Sequence, residues 1–147
     1  MKQIFCNQTA TANIRGDNKN PNLLGQVNFY QRANHVLVKA FVRGLPETDS
    51  GFFGLHIHEG NNCKGSDFAD TAGHYNPEGT PHPTHAGDLP PLLFCNGTAC
   101  QTVITDRFYV KDIIGRTVVI HDMPDDFTSQ PSGNSGMKIA CGVICEG

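Results

Sequence analysis

The chain has 147 residues, enough for one domain with a core of its own, and we expect a single domain over residues 1–147. Charged residues make up 17% of the chain and the formal net charge is −3, which argues against a nucleic-acid partner because such proteins carry a basic excess. The longest apolar runs are far shorter than a membrane span, so no membrane contact is expected.

The beginning of the chain lacks the apolar segment of a secretory signal. As written, the chain is therefore expected in the cytoplasm; an extracytoplasmic location is the alternative if a signal has been removed. Six cysteines are many for a cytosolic protein of this size, which predicts disulfides or a bound metal.

Short segments rich in Val, Ile, Phe and Thr recur along the chain and predict β-strands. In chain order they are residues 4–14, 26–31, 36–42, 53–58, 91–95, 100–105, 116–121 and 138–144. No apolar period of 3.6 residues continues beyond two helical turns, so the sequence does not predict a long helix. About eight short strands predict an all-β fold, an antiparallel sandwich or flattened barrel.

Turn residues separate several of these strands, and the pair Asn96-Gly97 is the strongest hairpin signal. Two segments interrupt the spacing, residues 59–91 and 122–136, and both are rich in Gly, Pro and Asp and expected to be too polar to pack. Loops of this length are usually functional or disordered. Because the first carries three of the seven histidines, it is predicted to be functional.

A His-x-His pair lies at the end of the fourth predicted strand. Residues two apart in a strand face the same side, so His56 and His58 can reach one ion while Ile57 faces the core. The alternative is two polar residues on a solvated strand face.

The long loop that follows contains His74, His82, His85 and Asp88. Three imidazoles and a carboxylate make a closed set of four ligands, which suits structural zinc. The alternative is a polar loop that happens to be rich in histidine.

The two remaining histidines, His121 and His35, differ in their surroundings. His121 closes an apolar strand, where it is either a ligand or an ordinary edge residue. His35, at the start of a strand, has no place in the cluster and is expected to be structural or exposed.

In five ordered segments the chain resembles the copper–zinc superoxide dismutases. The segments are GLHIHE (54–59), GHYNP (73–77), HAGDL (85–89), IGRTVVIH (114–121) and ACGVI (140–144). The resemblance implies an eight-stranded antiparallel Greek-key barrel or sandwich with two long functional loops.

The resemblance also implies the roles of particular residues. It places copper on four histidines, His56, His58, His74 and His121. It places zinc on His74, His82, His85 and Asp88, so that His74 bridges the two ions. It assigns Asp125 to the carboxylate that joins a copper histidine to a zinc histidine, and Cys63 and Cys141 to a disulfide.

The other four cysteines lie outside this pattern. Cys95 and Cys100 flank the Asn96-Gly97 turn and are candidates for a bridge across it. Cys6 and Cys145 lie on the first and last predicted strands and form a second candidate pair. Free buried thiols are the alternative for all four.

Three features depart from the family. Lys138 stands where the family has an arginine that attracts the substrate; the lysine keeps the charge and loses the planar donor fork. Only Pro83 and Thr84 separate His82 from His85, so the zinc loop is short. Residues 122–136 contain no lysine or arginine, so attraction of an anion is expected to rest largely on Lys138.

The resemblance implies an antioxidant oxidoreductase that dismutates superoxide to oxygen and hydrogen peroxide with redox-cycling copper and structural zinc. Lys138 would attract the superoxide anion and His74 would take up and deliver a proton. The alternative is a non-catalytic copper-binding or copper-chaperone-like domain; all four copper ligands and the absence of a Cys-x-x-Cys motif argue against it. A homodimer is left open, because the family includes both dimers and monomers.

Overall fold

The computed structural model describes residues 8–147. Its eight strands are β1 (Thr9–Gly16), β2 (Leu24–Arg32), β3 (His35–Arg43), β4 (Phe52–His58), β5 (Leu92–Leu93), β6 (Ala99–Thr105), β7 (Thr117–His121) and β8 (Lys138–Glu146). One short helix, α1 (Val110–Ile113), and a 3₁₀ segment (Ser66–Thr71) complete the regular structure of the described residues. None of their helices is long and apolar enough to cross a membrane.

All strand pairs are antiparallel, and the strands follow the order β5-β4-β7-β8-β1-β2-β3-β6. The first and last strands of this order contact each other, so the sheet nearly closes into a barrel. β4 follows β3 in the chain but lies on the far side of β8 and β1, which is a Greek-key connection. The predicted all-β barrel is confirmed.

The barrel strands differ in how many of their faces are buried. In β1, Ala10, Ala12 and Ile14 point into the core while the residues between them are more exposed. In β7 all five residues are buried, and so are the last six of β4. These two strands face the core on one side and are covered on the other by the long loops, which creates the enclosed space for a site.

Several predicted elements need correction. The first strand begins at Thr9 in the described part of the chain, and its predicted residues 4–7 lie outside that part. β5 has only two residues because Pro90 and Pro91 cannot donate to the ladder. Helix α1 was not predicted, since four residues are too few for an apolar period.

The expectation that the long loops are too polar to pack is wrong. The loop from residue 59 to 91 buries Thr71, Tyr75 and Leu89, and the loop from 122 to 136 buries Asp125 and Ser135. Their polar groups are paired within the protein, and this allows loops of such composition to pack.

The hairpin turn at Asn96-Gly97 is confirmed. Both residues have positive φ (49° and 81°), and the backbone of Cys95 exchanges hydrogen bonds with Thr98. The candidate Cys95–Cys100 bridge does not form: Cys100 lies two residues beyond the partner of Cys95, and both thiols are free. Diagonal neighbours in a ladder are about 7–8 Å apart, too far for a disulfide without backbone movement.

The predicted disulfide joins Cys63 to Cys141, with their Cα atoms 5.9 Å apart. It ties the first long loop to β8 across a sequence separation of 78 residues. A loop of this length corresponds to about 4.5 kcal/mol of stabilisation in the chain-entropy description. Cys95, Cys100 and Cys145 are exposed thiols without a disulfide partner among the described residues, so the buried-thiol alternative is wrong for these three. Cys6, the other half of the second candidate pair, lies outside those residues.

Candidate metal centre

Six of the seven histidines and Asp88 converge between β4, β7 and the loop from residue 59 to 91. Their side chains form two groups, and within each group the potential ligand atoms all lie within 4.8 Å of one another. The first ligand set is His56, His58, His74 and His121. The second ligand set is His74, His82, His85 and Asp88. His74 belongs to both, and His35 to neither.

The strands supply three members of the first ligand set. His56 and His58 share one face of β4, while Ile57 points into the core, as predicted, and Leu55 does so as well. His121 ends the neighbouring strand β7 opposite Gly54. Its Nε2 atom is 3.2 Å from Nε2 of His58, so the two rings direct the same atom into one space.

The long loop delivers the other ligands by pairing with β4. His74 forms a backbone bridge opposite His58, and Asp88 forms one opposite His56. Gly87 permits this approach, because a Cβ atom there would collide with the Ile57 carbonyl group. The sequence indicated the ligand types, whereas the backbone pairing that positions them appears only in the folded chain.

The second ligand set is arranged around the carboxylate of Asp88. Nδ1 of His74 lies 2.8 Å from Asp88 Oδ1, and Nδ1 of His82 lies 3.0 Å from Asp88 Oδ2. Nδ1 of His85 is 3.4 Å from Nδ1 of His74. Tetrahedral zinc with bonds of about 2.0–2.1 Å would separate its ligand atoms by about 3.3 Å, so this spacing suits a metal.

Three buried ring nitrogens in this space make no hydrogen bond: His56 Nδ1, His74 Nε2 and His82 Nδ1. The contact of His82 Nδ1 with Asp88 is short, but it lacks the alignment of a hydrogen bond. An unpaired buried polar group costs about 1–3 kcal/mol. Cations bound within the two sets would satisfy all three atoms, so the residues present fit two metal ions.

The outer nitrogens of these rings are held by hydrogen bonds. Nε2 of His56 donates to Asp125 Oδ2 and Nε2 of His82 donates to Asp125 Oδ1, both at 2.8 Å. Nδ1 of His58 donates to the Ala72 carbonyl at 2.8 Å. With the proton on the outer nitrogen, the inner nitrogen of each ring presents a lone pair to a metal.

Asp125 therefore joins one histidine of the first ligand set to one histidine of the second. Gly133 covers this bridge, because a Cβ atom on it would collide with Asp125 Oδ1 and with His82 Nε2. Its φ of +71° also favours glycine. Sequence analysis missed Gly133, whose role depends on how the loop from 122 to 136 folds over the site.

Burial favours the neutral form of three histidines in the first ligand set, His56, His58 and His121. It lowers the pKa of His56, and the hydrogen bond to Asp125 opposes this shift only in part. Burial, together with the neighbouring His121, holds the pKa of His58 well below its ordinary value. Burial and then repulsion from His56 lower the pKa of His121 to about 3. Neutral imidazoles are the form that binds metals.

Hydrogen bonds keep the two carboxylates ionised. Burial by itself would raise the pKa of Asp125, but the hydrogen bonds from His56 and His82 outweigh it and hold this pKa well below its usual range. Burial likewise opposes ionisation of Asp88, and the hydrogen bond from His74 brings its pKa below the ordinary value. The centre thus combines the neutral imidazoles of His56, His58 and His121 with two negative charges.

Two further side chains hold the short loop between His82 and Asp88, and sequence analysis missed both. Arg107 Nη1 donates to the carbonyl oxygens of Pro83 (2.8 Å) and His85 (3.2 Å). The Gln130 side chain makes two hydrogen bonds to the backbone of His82. Its Oε1 atom accepts from the His82 N–H at 2.9 Å, and its Nε2 atom donates to the His82 carbonyl at 2.7 Å. No local motif marks either residue.

Lys138 lies beside the first ligand set, directly opposite His121 in the β7–β8 ladder. Its Nζ atom donates to Thr71 Oγ1 at 2.8 Å and to the Ala72 carbonyl at 3.0 Å. Ala72 is also the residue that accepts from His58. Partial burial lowers the pKa of Lys138.

These features define the class of protein. It is a Greek-key β-barrel whose residues fit two metal ions, with two buried groups of potential ligands that share one imidazole and are joined from outside by a carboxylate.

Comparison with known sequences identifies the family within this class. The copper/zinc superoxide dismutase family model matches residues 23–144. Superoxide dismutase [Cu-Zn] 2 of Aquifex aeolicus is 34% identical over 137 residues, covering 83% of this chain and 79% of the relative. Superoxide dismutase [Cu-Zn] of Legionella pneumophila is 34% identical over 142 residues, covering 91% and 85%. Superoxide dismutase [Cu-Zn] 3 of Arabidopsis thaliana is 34% identical over 155 residues, covering 94% and 90%.

The chain belongs to the copper–zinc superoxide dismutase family. The predicted family, the oxidoreductase class and the cofactors copper and zinc are confirmed. The alternative of a non-catalytic copper-binding domain is not favoured.

The lowered pKa values predict how acid affects the metal-free protein. Between pH 6.5 and pH 4 the unfolded chain protonates His121 while the folded chain, with a pKa of about 3, does not. Folding stability must therefore fall as the pH falls, by up to about 1.4 kcal/mol per pH unit for this histidine. Asp125 contributes stability that is lost only below its ordinary pKa of 3.8, outside this window.

Urea unfolding of metal-free protein across this window measures the effect. His121→Gln should flatten the pH dependence, and His35→Gln, which changes a histidine outside both sets, should leave it as in the wild type. Equal slopes for the wild type and His121→Gln would contradict the assignment.

Proposed function

We propose that the first ligand set binds copper and the second ligand set binds zinc, with His74 shared between them. The observation that carries the proposal is the buried His74 ring, which belongs to both sets: its Nδ1 atom lies 2.8 Å from Asp88 of the second set, and its buried Nε2 atom has no hydrogen-bond partner. The reaction of the enzyme is the dismutation of superoxide to oxygen and hydrogen peroxide.

The composition of the two sets supports this division. The first contains only imidazoles, which copper binds strongly. The second adds a carboxylate and closes a set of four, as in structural zinc sites. When bound, copper supplies one-electron redox chemistry, and zinc, which has none, fixes geometry.

We assign His74 the movement of a proton at Nε2. Hydrogen peroxide carries two protons that superoxide lacks, so a proton donor beside the first ligand set is required. Nε2 of His74 is buried there and has no competing hydrogen bond. Nδ1 remains within the second ligand set, 2.8 Å from Asp88, so the ring stays in place while Nε2 gains and releases a proton.

We assign Lys138 the attraction and orientation of the superoxide anion. The loop from 122 to 136 carries Asp122, Asp125 and Asp126 but no lysine or arginine. The ammonium group of Lys138, beside His121, is then a principal source of positive potential at this end of the barrel. Its hydrogen bonds to Thr71 and Ala72 hold the charge in position.

We further assign Arg107 and Gln130 the positioning of the zinc loop. Only two residues separate His82 from His85, so small movements of this backbone would displace ligand nitrogens. The hydrogen bonds from both side chains end on backbone atoms of this segment. They support a loop that is ordered before the metal binds.

Metal content of purified variants tests the ligand assignment. Asp88→Ala should lose most of its zinc and retain copper, whereas His58→Ala should lose copper and retain zinc. His74→Ala should lower both metals, and His35→Ala is the control that keeps both. Elemental analysis after dialysis gives the counts, and loss of zinc with retention of copper in His58→Ala would contradict the division.

Charge reversal at Lys138 tests the attraction of substrate. Lys138→Glu should slow superoxide decay in pulse radiolysis by about tenfold or more and reverse its dependence on ionic strength. Lys138→Arg should remain close to the wild type. Lys111→Glu makes the same charge change on α1, and identical rates and salt dependence for the two glutamate variants would refute the role.

Removal of the donors on Arg107 tests the loop assignment. Arg107→Met keeps the length of the side chain and should raise the rate of zinc release to a chelator by about tenfold, as for other residues that orient metal ligands. Gln130→Ala should act in the same direction. Arg32→Met, at the end of β2, is the matched control; zinc release as slow in Arg107→Met as in this control would refute the assignment.

A further inference from the structure

The outer face of one side of the barrel is unusually poor in negative charge. Strands β1, β2, β3 and β6 contain no Asp or Glu, although the chain has 14 such residues. They do contain four of its 11 lysines and arginines, Arg15, Arg32, Lys39 and Arg43, all with exposed side chains. None of the four forms an ion pair within the described residues. The one ion pair found there between an Arg or Lys and a carboxylate joins Arg116 to Glu59.

The strand register arranges this face in rows. Arg15 and Arg43 flank Leu24, so about 10 Å separates their backbones across two strand spacings. In the next row Phe41 lies beside Gln26, and Lys39 is one step further along β3. A concave cavity of about 720 Å³ opens here, and its lining includes Arg15, Lys39, Arg43 and Phe41 but no acidic residue.

Carboxamides fill the space between the cations. Gln26 Nε2 donates to Asn13 Oδ1 at 3.0 Å, and Thr11 Oγ1 donates to Asn28 Oδ1 at 2.8 Å. These bonds orient the amides and leave Asn13 Nδ2, Gln26 Oε1 and Asn28 Nδ2 without another side-chain partner among the described residues. The face therefore offers donors and acceptors as well as charge.

We propose that this cationic face, lined by Arg15, Lys39, Arg43 and Phe41, binds an acidic polysaccharide. The guanidinium groups and the ammonium group match carboxylate or sulfate substituents. The oriented amides suit sugar hydroxyls, and the exposed ring of Phe41 offers an apolar surface to a sugar ring. A concave surface follows a chain better than a flat membrane, and one exposed phenyl ring is a poor platform for successive nucleic-acid bases.

The position of the face allows binding and catalysis together. In the order of the eight strands, the pair β2–β3 lies four places from the pair β4–β7 that carries the histidines. In a nearly closed barrel these pairs are on opposite sides. The polymer would hold the enzyme while the metal centre faces solution.

Equilibrium binding of the metal-loaded enzyme to polygalacturonate at low salt tests the proposal, with neutral dextran as the uncharged comparison. The variant Arg15→Gln/Lys39→Gln/Arg43→Gln should bind about ten to a hundred times more weakly, because each exposed ion pair contributes a factor of about two to five. The matched control Lys19→Gln/Lys64→Gln/Lys111→Gln removes the same charge from elsewhere and should bind like the wild type. Unchanged metal content and superoxide decay in both variants verify their folding.

A second measurement locates the polymer. Cys100 lines the cavity, whereas Cys145 is an exposed thiol outside it. Polygalacturonate should slow alkylation of Cys100, measured by mass spectrometry, and leave Cys145 unaffected. The proposal would be overturned if the two triple variants bound polygalacturonate equally weakly or if the polymer left Cys100 unprotected. It would also be overturned by equal affinity for dextran, or by tighter binding to single-stranded DNA or to phosphatidylglycerol vesicles.

Discussion

The carboxylate of Asp125 accepts a hydrogen bond from one histidine of each ligand set, and both sets depend on this bridge for their geometry. It fixes the protonated nitrogen of His56 and His82, so each ring turns its lone pair inward. It also attaches the loop from 122 to 136 to β4 and to the zinc loop. Because Gly133 packs directly over it, the bridge is shielded from water, which strengthens both hydrogen bonds.

Local spacing in the sequence indicated part of the candidate metal site, whereas the inclusion of His121 and the sharing of His74 came only from the resemblance to the family. Alternation along a strand places His56 and His58 on one face, and a short loop limits where His82, His85 and Asp88 can point. Arg107 and Gln130 could not be found in this way, since their partners lie 22 to 48 residues away and depend on how two loops meet. The Cys95–Cys100 bridge failed for a related reason, because proximity in sequence does not give the register of a hairpin.

The two sides of the barrel are built from the same ladder but meet different surroundings. β4 and β7 are covered by long loops, so their outward residues lie in a space that excludes water and lowers histidine pKa values. β2 and β3 have no such cover, and their outward residues keep exposed charge. The Cys63–Cys141 disulfide maintains this difference, since it attaches the covering loop to β8. One fold thereby separates a buried metal centre from an open charged surface.

In the role that we propose for Lys138, the lysine side chain determines how an anion can be held. An ammonium group has three N–H donors, and Lys138 uses two of them on Thr71 Oγ1 and the Ala72 carbonyl. One donor remains for an anion, where an arginine would offer a planar fork. A single directed donor suits a small anion that approaches and leaves quickly. Because the Ala72 carbonyl also accepts from His58, the same backbone group positions the cation and orients a metal ligand.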